Sequence, residues 1–412
     1  MTKRVVVTGI GVISPVGTGI EKFWDSLKNG KNGIEKITLF DASDLDAQIA
    51  GEVKDFDPLK YLGRKELKRM DKFTHFAVAS SKMALEDSNI DVTEVDMNRF
   101  GVILGSGVGG IETFEKEAKK MFQKGPSRIS PFFIPMMITN IGAGQISIAT
   151  GAKGPNTTVV TACASSTHAI GDAFRVIQRG DADIMFAGGA EASITKLSIA
   201  GFCAMKALST RNDDPHSASR PFDKNRDGFI MSEGSGMLIL EDYNHAINRG
   251  AKIYAEIVGY GYTADAYHIT SPHPEGEGAA RSMKMAIDDA GISINDIDHI
   301  NAHGTSTPLN DKYETMSIKS VFGEFANNIS INSTKSMTGH MLGAAGSIEA
   351  IAVVMALKDG YIPPTINYST KDEGLDLDYT PNVGNERDIK YGLSNSLGFG
   401  GHNGSLIFKK YE

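Results

Sequence analysis

Cys163 occupies a position where a thiol can act as a nucleophile. It lies in "VVTACASSTHAIGDAF" (159–174), between a β-branched run and the small residues that open an amphipathic segment. At a helix N-terminus, unpaired N–H groups and the positive end of the helix dipole favour the reactive thiolate. The small neighbours leave room for a bulky substrate group. A lone cysteine at a strand end is more often a packing residue, so a catalytic interpretation needs further groups.

Two histidines supply such groups, because each directly follows a predicted strand. His303 lies in "NAHGTSTP" and His340 in "TKSMTGH". Functional side chains gather at the ends of strands in open α/β sheets. Lys335, in the same junction as His340, adds a cation that biases a neighbouring histidine toward its neutral form. The sequence therefore predicts a site with an ionised Cys163 and neutral histidines.

Three other motifs imitate cofactor or metal sites. "GSGVGG" (105–110) opens a helix that runs into the loop "PSRISPFFIP", so we interpret it as a glycine turn lining a pocket, and not as a dinucleotide site. "DKNRDGFIMSEG" (223–234) has glycine where a calcium loop needs a bidentate acid. "YHITSPHPEGEG" (267–278) lacks metal-ligand spacing and favours a substrate-access loop. Cys203 is most simply a buried packing residue. We therefore predict no metal site.

Short apolar runs that alternate with helical patterns predict a layered α/β fold. Strands are expected at 4–9, 100–107, 157–162, 183–189, 236–241, 253–261, 297–304, 329–336, 391–401 and 404–410. Several runs are apolar on both faces, as in a sheet covered by helices on both sides. A helix is expected over 164–179, ending at Gly180. Because 331–360 repeats the order strand, small-residue junction and helix, we expect an internal duplication with halves 1–250 and 251–412.

Composition limits the classes of function and location. The net charge of −8 argues against a broad basic surface for nucleic acid. Two cysteines cannot build a disulfide framework, which favours a reducing cytoplasm. The N-terminal apolar run breaks at Gly9, Gly11 and Pro15, so it lacks a signal-peptide core, and no later window has the length of a membrane span. We expect a cytoplasmic protein with neither a nucleic-acid partner nor a membrane partner.

Four separated motifs carry a family resemblance. "TACASS", "NAHGTSTPLND", "STKSMTGHMLGAAGSIEA" and "SNSLGFGGHN" resemble the Cys-His-His motifs of the β-ketoacyl-acyl-carrier-protein (ACP) synthases. The sequence is most similar to the second type of these enzymes, from bacterial fatty-acid elongation, and the similarity runs almost end to end. The resemblance implies the thiolase-like fold, in which two similar halves build five layers, α/β/α/β/α. It also implies a homodimer.

The same resemblance implies roles for individual residues. Cys163 would take the acyl chain, and His303 and His340 would hold the malonyl thioester carbonyl. Lys335 and Glu349 would support the histidines. The resemblance further implies Phe399 as a gate whose N–H pairs with that of Cys163 as an oxyanion hole, Thr305 and Thr307 as contacts of the pantetheine arm, Val108 as the gate of the acyl pocket, and Gly400 as a further substrate-binding residue. It implies no cofactor beyond the phosphopantetheine arm that the substrates carry. His168 and His402 receive no role.

The activity expected from these residues is a decarboxylating Claisen condensation. Acyl-ACP and malonyl-ACP would give 3-oxoacyl-ACP, carbon dioxide and free ACP, with ping-pong kinetics because one thiol is acylated first. One alternative is a Cys-His thioesterase or acyltransferase. Another is a first-type synthase with a different preference for chain length and unsaturation. A non-catalytic chain-length factor would have lost the cysteine.

A basic run is the candidate docking surface for the acidic carrier protein. Residues 61–73, "YLGRKELKRMDKF", are rich in lysine and arginine. Such a run is usually a solvated face, but an acidic partner makes docking the better interpretation. The predicted docking residues are Lys65, Lys68, Arg69, Arg128 and Lys206.

Overall fold

The computed structural model describes residues 2–412, which form alternating strands and helices. The strands are β1 (Val5–Ser14), β2 (Gly17–Thr18), β3 (Glu35–Lys36), β4 (Ile49–Ala50), β5 (Phe100–Gly105), β6 (Asn156–Val159), β7 (Ile184–Glu191), β8 (Gly234–Asp242), β9 (Ala255–Ala264), β10 (His299–Asn301), β11 (Ser330–Asn332), β12 (Tyr361–Ile362), β13 (Asn385–Glu386), β14 (Tyr391–Gly398) and β15 (His402–Lys410). The α-helices are α1 (Ile20–Lys28), α2 (Arg64–Leu67), α3 (Lys72–Asp87), α4 (Ile111–Lys124), α5 (Phe133–Met137), α6 (Ile141–Thr150), α7 (Ser165–Arg179), α8 (Lys196–Ala204), α9 (Tyr243–Asn248), α10 (Glu277–Ala290), α11 (Pro308–Phe322), α12 (Lys335–Thr338) and α13 (Ala345–Asp359). Short 3₁₀ turns lie at Pro58–Lys60, Met97–Arg99, Pro126–Arg128, Ala162–Ala164, Pro215–Ser217, Pro274–Gly276, Ile294–Asp296, Gly323–Asn328 and Leu342–Ala344. Within residues 2–412, no helix has both the length and the apolar character needed to cross a bilayer.

The main sheet shows the internal duplication directly. Its strands follow the order β11-β10-β14-β15-β9-β1-β8-β7-β5-β6, with β2 paired to β1. Numbered along the chain within each half, the five strands of both halves follow the same spatial order, 3-2-4-5-1. Strand pairs 2–3 and 2–4 are parallel in each half, whereas 4–5 and 5–1 are antiparallel. These ten strands are the ten apolar runs of the sequence, so the predicted α/β fold with two similar halves is confirmed.

Two central helices separate the two halves of the sheet. α13 packs on α7, β14 and β8, and its residues 345–357 are all buried. A helix that is apolar on every side must lie inside a protein, which explains this central place. α3 covers the outer face of the N-terminal half and α10 that of the C-terminal half, giving α/β/α/β/α. The halves join where β1 pairs with β9. The predicted boundary at residue 250 lies between α9 and β9, and the division into domains 1–250 and 251–412 stays a prediction.

The junctions that carry the candidate residues repeat between the halves. After β6, Ala162 has φ +50° and a 3₁₀ turn leads into α7; after β11, Leu342 has φ +47° and a 3₁₀ turn leads into α13. Cys163 and Gly343 therefore occupy equivalent positions. The prediction that His340 directly follows a strand is wrong, because α12 intervenes and is capped by Gly339, whose φ of +68° suits glycine. The segment expected as the loop "PSRISPFFIP" also contains the start of helix α5.

Candidate active site

A cavity of about 360 Å³ holds the predicted nucleophile and both predicted histidines. Cys163 reaches it from the N-terminal half, and His303 and His340 reach it from the C-terminal half. Its wall also includes the predicted residues Val108, Thr305, Thr307, Phe399 and Lys206, together with the apolar side chains of Phe202, Met205, Phe229 and Leu342. The glycine turn at 107–108 and residues 270–272 of the predicted access loop line it as well. The cavity size and apolar lining suit a small acyl group.

The reactive atoms of the three central residues converge. The Cys163 sulfur and one nitrogen each of His303 and His340 lie within 4.8 Å of one another. The two imidazole rings are nearly perpendicular, with centroids 5.3 Å apart, and Phe229 packs edge-on against His340 at 5.3 Å. A substrate carbonyl held between the imidazoles therefore lies beside the sulfur.

The Cys163 thiol is neutral, contrary to the prediction of an ionised thiolate. Burial raises the pKa of Cys163 to about 12, and this desolvation outweighs the Lys335 charge and the Phe399 backbone N–H, both of which lower it. The carboxylates of Glu191 and Glu349 raise the pKa further. The helix N-terminus is present as predicted, but the sequence did not reveal how completely the junction is buried. The thiol must therefore lose its proton during the reaction.

This raised pKa predicts a distinctive alkylation profile for Cys163. A raised pKa keeps the thiol protonated at neutral pH, so the rate of reaction with iodoacetamide should rise about tenfold per pH unit between about pH 7 and 9.5 without a plateau. Peptide mass spectrometry of the alkylated Cys163 peptide measures this rate. In the unfolded chain the plateau should appear near the ordinary pKa of about 8.5. A plateau below pH 9 in the folded protein would contradict the assignment.

Lys335 determines which ring nitrogen of His303 carries the proton. Its ammonium, which has no lone pair to accept with, donates to His303 Nδ1 at 3.3 Å and also pairs with Glu349 on α13. Nδ1 is therefore an acceptor, and the ring proton lies on Nε2. Burial first, then the charge of Lys335, holds the pKa of His303 well below its usual range. His303 is thus a neutral imidazole with one N–H to donate, and the predicted effect of Lys335 is confirmed.

His340 is neutral for similar reasons. Burial, followed by the Lys335 charge, holds its pKa well below the usual range. Its Nδ1 is buried without a hydrogen-bond partner among residues 2–412. Its backbone N–H donates to the Ile230 carbonyl at 2.8 Å, which fixes this C-terminal residue against an N-terminal loop. Two neutral imidazoles therefore face the same cavity.

The three residues also form the group most able to hold a metal ion. One thiolate and two imidazoles are ligands that Zn²⁺ accepts. The Lys335 ammonium, however, lies 3.3 Å from His303 Nδ1 and repels a dication at that ring. The charge around the trio therefore favours an organic substrate.

Sequence reasoning missed two buried glutamates around the site. Glu314 on α11 accepts the backbone N–H groups of His303 and Gly304 at 2.7 and 2.8 Å, and burial raises its pKa to about 7. Glu191, at the end of β7, accepts the N–H groups of Gly107 and Gly343 at 2.7 and 3.0 Å. The feature of the sequence that could have revealed them is a carboxylate within an otherwise apolar or helical run. Glu349 shares this feature, and burial raises its pKa to about 7.

Phe399 and its neighbours form the opposite wall of the cavity. The Phe399 N–H lowers the pKa of Cys163, and the Phe399 ring lies 6.5 Å from that of Phe202. A Cβ on Gly398 would lie 3.2 Å from the Cys163 nitrogen and 2.6 Å from the Thr161 oxygen, so only glycine lets β14 approach this closely. Gly400 is exposed, has φ +88° and donates to the Ile269 carbonyl at 2.8 Å. Unlike Phe399, Gly400 is outside the cavity wall.

The remaining predicted residues divide between the cavity and the surface. The Thr305 and Thr307 hydroxyls bond each other at 2.9 Å in the cavity wall. Lys206 is exposed at the cavity, whereas Lys65, Lys68, Arg69 and Arg128 are exposed outside it. The Arg69 guanidinium lies 4.9 Å above the Phe132 ring. Lys72, from the same basic run, instead pairs with buried Glu233 at 2.7 Å.

Cys203 packs against apolar residues as predicted, but it is not fully buried. It is partly buried at the end of α8, where it packs against a cluster of buried apolar residues that includes Ile199 and Phe229. It lies outside the cavity wall.

Comparison with known proteins identifies relatives that share this architecture. Family models described as "Beta-ketoacyl synthase, N-terminal domain" and "Beta-ketoacyl synthase, C-terminal domain" match residues 2–246 and 254–369. The chain is 54% identical to 3-oxoacyl-[acyl-carrier-protein] synthase 2 of Synechocystis sp. and 53% identical to that of Staphylococcus aureus, covering 100% of this chain and 99% of each relative.

Solved structures agree with the family models. A type II polyketide-synthase ketosynthase, in complex with its acyl-carrier protein, shares a TM-score of 0.93 at 37% identity. A β-ketoacyl synthase from Burkholderia phymatum shares a TM-score of 0.93 at 35% identity. Both matches cover 100% of each chain. With its Cys-His-His cavity between two duplicated halves, this chain belongs to the β-ketoacyl synthase family.

Proposed function

We propose that this protein is an acyltransferase that condenses acyl-ACP with malonyl-ACP, giving 3-oxoacyl-ACP, carbon dioxide and free ACP in bacterial fatty-acid elongation. The observation that carries the proposal is the Lys335 ammonium on His303 Nδ1, 3.3 Å away, which places the N–H of this buried, neutral ring on Nε2. Decarboxylation of a malonyl thioester needs such a neutral donor for the developing enolate oxygen.

The first half-reaction transfers the acyl group to Cys163. The sulfur attacks the thioester carbonyl of acyl-ACP, and the bond from that carbonyl to the pantetheine sulfur breaks. The proton that leaves Cys163 ends on the departing pantetheine sulfur. The N–H groups of Cys163 and Phe399 receive the oxyanion of the tetrahedral intermediate, each stabilising it by about 3–4 kcal/mol. The apolar wall at Val108, Phe202 and Phe229 holds the acyl chain.

The second half-reaction makes the new carbon–carbon bond. The bond to the malonyl carboxylate breaks, carbon dioxide leaves, and the electron pair forms an enolate whose oxygen accepts from His303 and His340. The enolate carbon attacks the Cys163 thioester, and the carbon–sulfur bond breaks. The released thiolate takes up a proton from solvent and regenerates the neutral thiol. The Thr305 and Thr307 hydroxyls hold the pantetheine arm during this step.

The same geometry argues against a thioesterase. A hydrolase of the Cys-His type needs a histidine base whose Nδ1–H donates to a carboxylate, so that the imidazolium is stabilised. Here a cation occupies the Nδ1 side of His303, which disfavours an imidazolium. The site is built to donate a hydrogen bond and not to remove a proton from water.

Product analysis tests the proposal against both alternatives. Incubation with acyl-ACP and carboxyl-labelled malonyl-ACP should release labelled carbon dioxide and give an acyl chain longer by two carbons. Free fatty acid without carbon dioxide would instead identify a thioesterase. Condensation rates with a series of saturated and unsaturated acyl-ACPs distinguish the substrate preference of a second-type synthase from that of a first-type synthase. Absence of both condensation and hydrolysis would contradict the proposal.

We propose that Lys65, Lys68, Arg69, Arg128 and Lys206 dock the carrier protein. The basic cluster stands out because the chain carries a net charge of −8. Its members are exposed, and Lys206 lies at the cavity itself. An acidic carrier protein would be attracted to these exposed basic side chains, with a strength that falls as salt screens the charges.

Charge reversal at this surface should raise the KM for acyl-ACP. In Lys65→Glu and Lys68→Glu, repulsion of the acidic partner should raise KM roughly tenfold at low salt while kcat stays nearly constant. Steady-state kinetics over a range of salt concentrations measures the effect, which should shrink as salt rises. Lys284→Glu, an exposed lysine on α10, is the matched control. An equal rise in KM in this control would contradict the assignment.

We propose a homodimer, because a large apolar surface lies open on one side of the chain. Exposed apolar side chains of α4, α5 and α6 are Phe114, Met121, Phe122, Ile134 and Ile148. Beside them, β6 is an edge strand with exposed residues. Unpaired strand edges and apolar patches of this kind are typically covered by another chain. A second copy placed edge to edge at β6 would cover both features.

Mutation of this apolar surface should break the dimer. Light scattering should give twice the 44.2 kDa of one chain for the wild type. Phe122→Glu should shift the protein toward monomer, since the Phe122 side chain is 83% exposed and the substitution buries a charge only in the dimer. Val383→Glu, at a residue 74% exposed outside the surface, should leave the mass unchanged. A monomeric wild type would overturn the proposal.

The proposed reaction needs no resident cofactor. The pantetheine arm of each ACP carries the reacting thioester, and the electron pair moves between substrate atoms and Cys163. We place the reaction in the cytoplasm, where reducing conditions keep Cys163 as a thiol.

A further inference from the structure

His168 connects the two walls that supply the proposed oxyanion hole. Its ring lies on α7, five residues beyond Cys163, and is buried. Nδ1 lies 2.8 Å from the Thr161 hydroxyl, and Nε2 lies 3.2 Å from the Asn403 carbonyl. Thr161 is two residues before Cys163, and Asn403 is four residues after Phe399. One side chain thus spans the nucleophile's segment and the segment that carries the Phe399 N–H.

The hydrogen bonds of His168 define its tautomer. The Asn403 carbonyl can only accept, so Nε2 carries the ring proton and Nδ1 accepts from the Thr161 hydroxyl. Burial, followed by the charge of His402, lowers the pKa of His168. The rings of Tyr260, Tyr262 and His402 also face His168 edge-on at 6.2–6.5 Å, and Asp172 and Arg175 lie beyond Tyr260. The neutral ring therefore makes both bonds at once.

The backbone on both sides of the His168 ring accommodates this bridge, the pair of hydrogen bonds to Thr161 and Asn403. A Cβ on Gly404 would lie 2.9 Å from the His168 ring, so the strand after the Phe399 loop accommodates the imidazole only with glycine there. On the other side, the Thr161 carbonyl accepts the Ala164 N–H at 3.1 Å and lies against Gly398. The Thr161 hydroxyl therefore belongs to the same turn that presents Cys163.

We propose that His168 is a positioning residue for acyl transfer: by tying the Thr161 hydroxyl to the Asn403 carbonyl, it sets the separation between the Cys163 and Phe399 N–H groups that receive the thioester oxygen. This inference rests on the proposed condensation. It concerns the steps at the Cys163 thioester, where an oxyanion forms, and not decarboxylation, whose enolate oxygen is held by His303 and His340. Loss of the bridge should therefore slow acylation selectively.

Single-turnover kinetics tests this selectivity. In His168→Ala, the rate of acyl transfer from a medium-chain acyl-ACP to Cys163, measured by quenched-flow intact mass, should fall roughly 10- to 100-fold, the effect of a misplacement of about 1 Å. Decarboxylation of malonyl-ACP and the KM for acyl-ACP should stay nearly unchanged. His168→Asn can keep only the Thr161 bond and His168→Gln only the Asn403 bond, so both should give intermediate rates.

Thr161 and His299 provide the independent variant and the control. Thr161→Val keeps the shape but removes the hydroxyl, and should slow acylation with the same selectivity; Thr161→Ser should restore most of the rate. His299→Asn changes another buried histidine, which bonds the Ser330 carbonyl at 2.9 Å, and should lower the melting temperature without a selective loss of acylation.

Three outcomes would overturn or support the inference. Acylation at the wild-type rate in His168→Ala and Thr161→Val would overturn it. An equal fall in acylation and decarboxylation would also overturn it, because His168 would then act only in packing. A selective fall in acylation supports it. A wild-type protein that forms no adduct on Cys163 would instead refute the condensation, which keeps the two failures distinguishable.

Discussion

Cys163→Ala should abolish condensation and the acyl-enzyme while leaving the decarboxylating half of the site intact. Removal of a covalent nucleophile typically lowers turnover by about 10⁵- to 10⁶-fold, because the whole reaction then loses its intermediate. The mass increase of one acyl group, seen when the wild type meets acyl-ACP, should disappear. Carbon dioxide release from malonyl-ACP should persist, since His303 and His340 remain in place.

Cys203→Ala is the matched control for this substitution. Cys203 is the other cysteine of the chain and lies outside the cavity wall, so its variant should still carry the acyl group. Peptide mapping of the adduct locates the modified residue. An adduct that survives in Cys163→Ala would refute the role of Cys163.

Replacement of either histidine of the proposed site should divide the two half-reactions in the opposite sense. In His303→Ala or His340→Ala, one of two N–H donors to the enolate oxygen is lost, so decarboxylation should fall roughly 10²- to 10³-fold. Acylation of Cys163 should persist in part, because its oxyanion is received by backbone N–H groups. Labelled carbon dioxide release and intact mass measure the two steps on the same preparation.

A glutamine variant of His303 shows whether the lost N–H donor is the cause. A glutamine amide can place an N–H near the position of Nε2, so His303→Gln should recover part of the decarboxylation that His303→Ala loses. Equal loss of acylation and decarboxylation in the alanine variants would argue against separate roles. A His303→Ala variant that decarboxylates at the wild-type rate would show that Lys335 and His303 act elsewhere in the reaction.

The sequence by itself determined the strands, the duplication and the central residues. Ten apolar runs became the ten strands of the duplicated sheet, because alternation and β-branching are local properties that act within a few residues. The helix over 164–179 and its glycine end at Gly180 were visible for the same reason. Cys163, His303 and His340 stood out because functional residues follow strand ends, although His340 is reached through the extra turn of α12.

Only the tertiary structure decided the protonation of the site, because it depends on residues far apart in the chain. The helix N-terminus at Cys163 suggested a thiolate, yet burial makes desolvation the larger effect and keeps the thiol neutral. Glu314 and Glu191 serve the site through backbone N–H groups up to 152 residues away, which no local pattern records. The hydrogen bond from His168 to the Asn403 carbonyl likewise joins residues 235 positions apart in the chain. Local periodicity determines the elements, whereas desolvation and long-range hydrogen bonds arise only when those elements pack together.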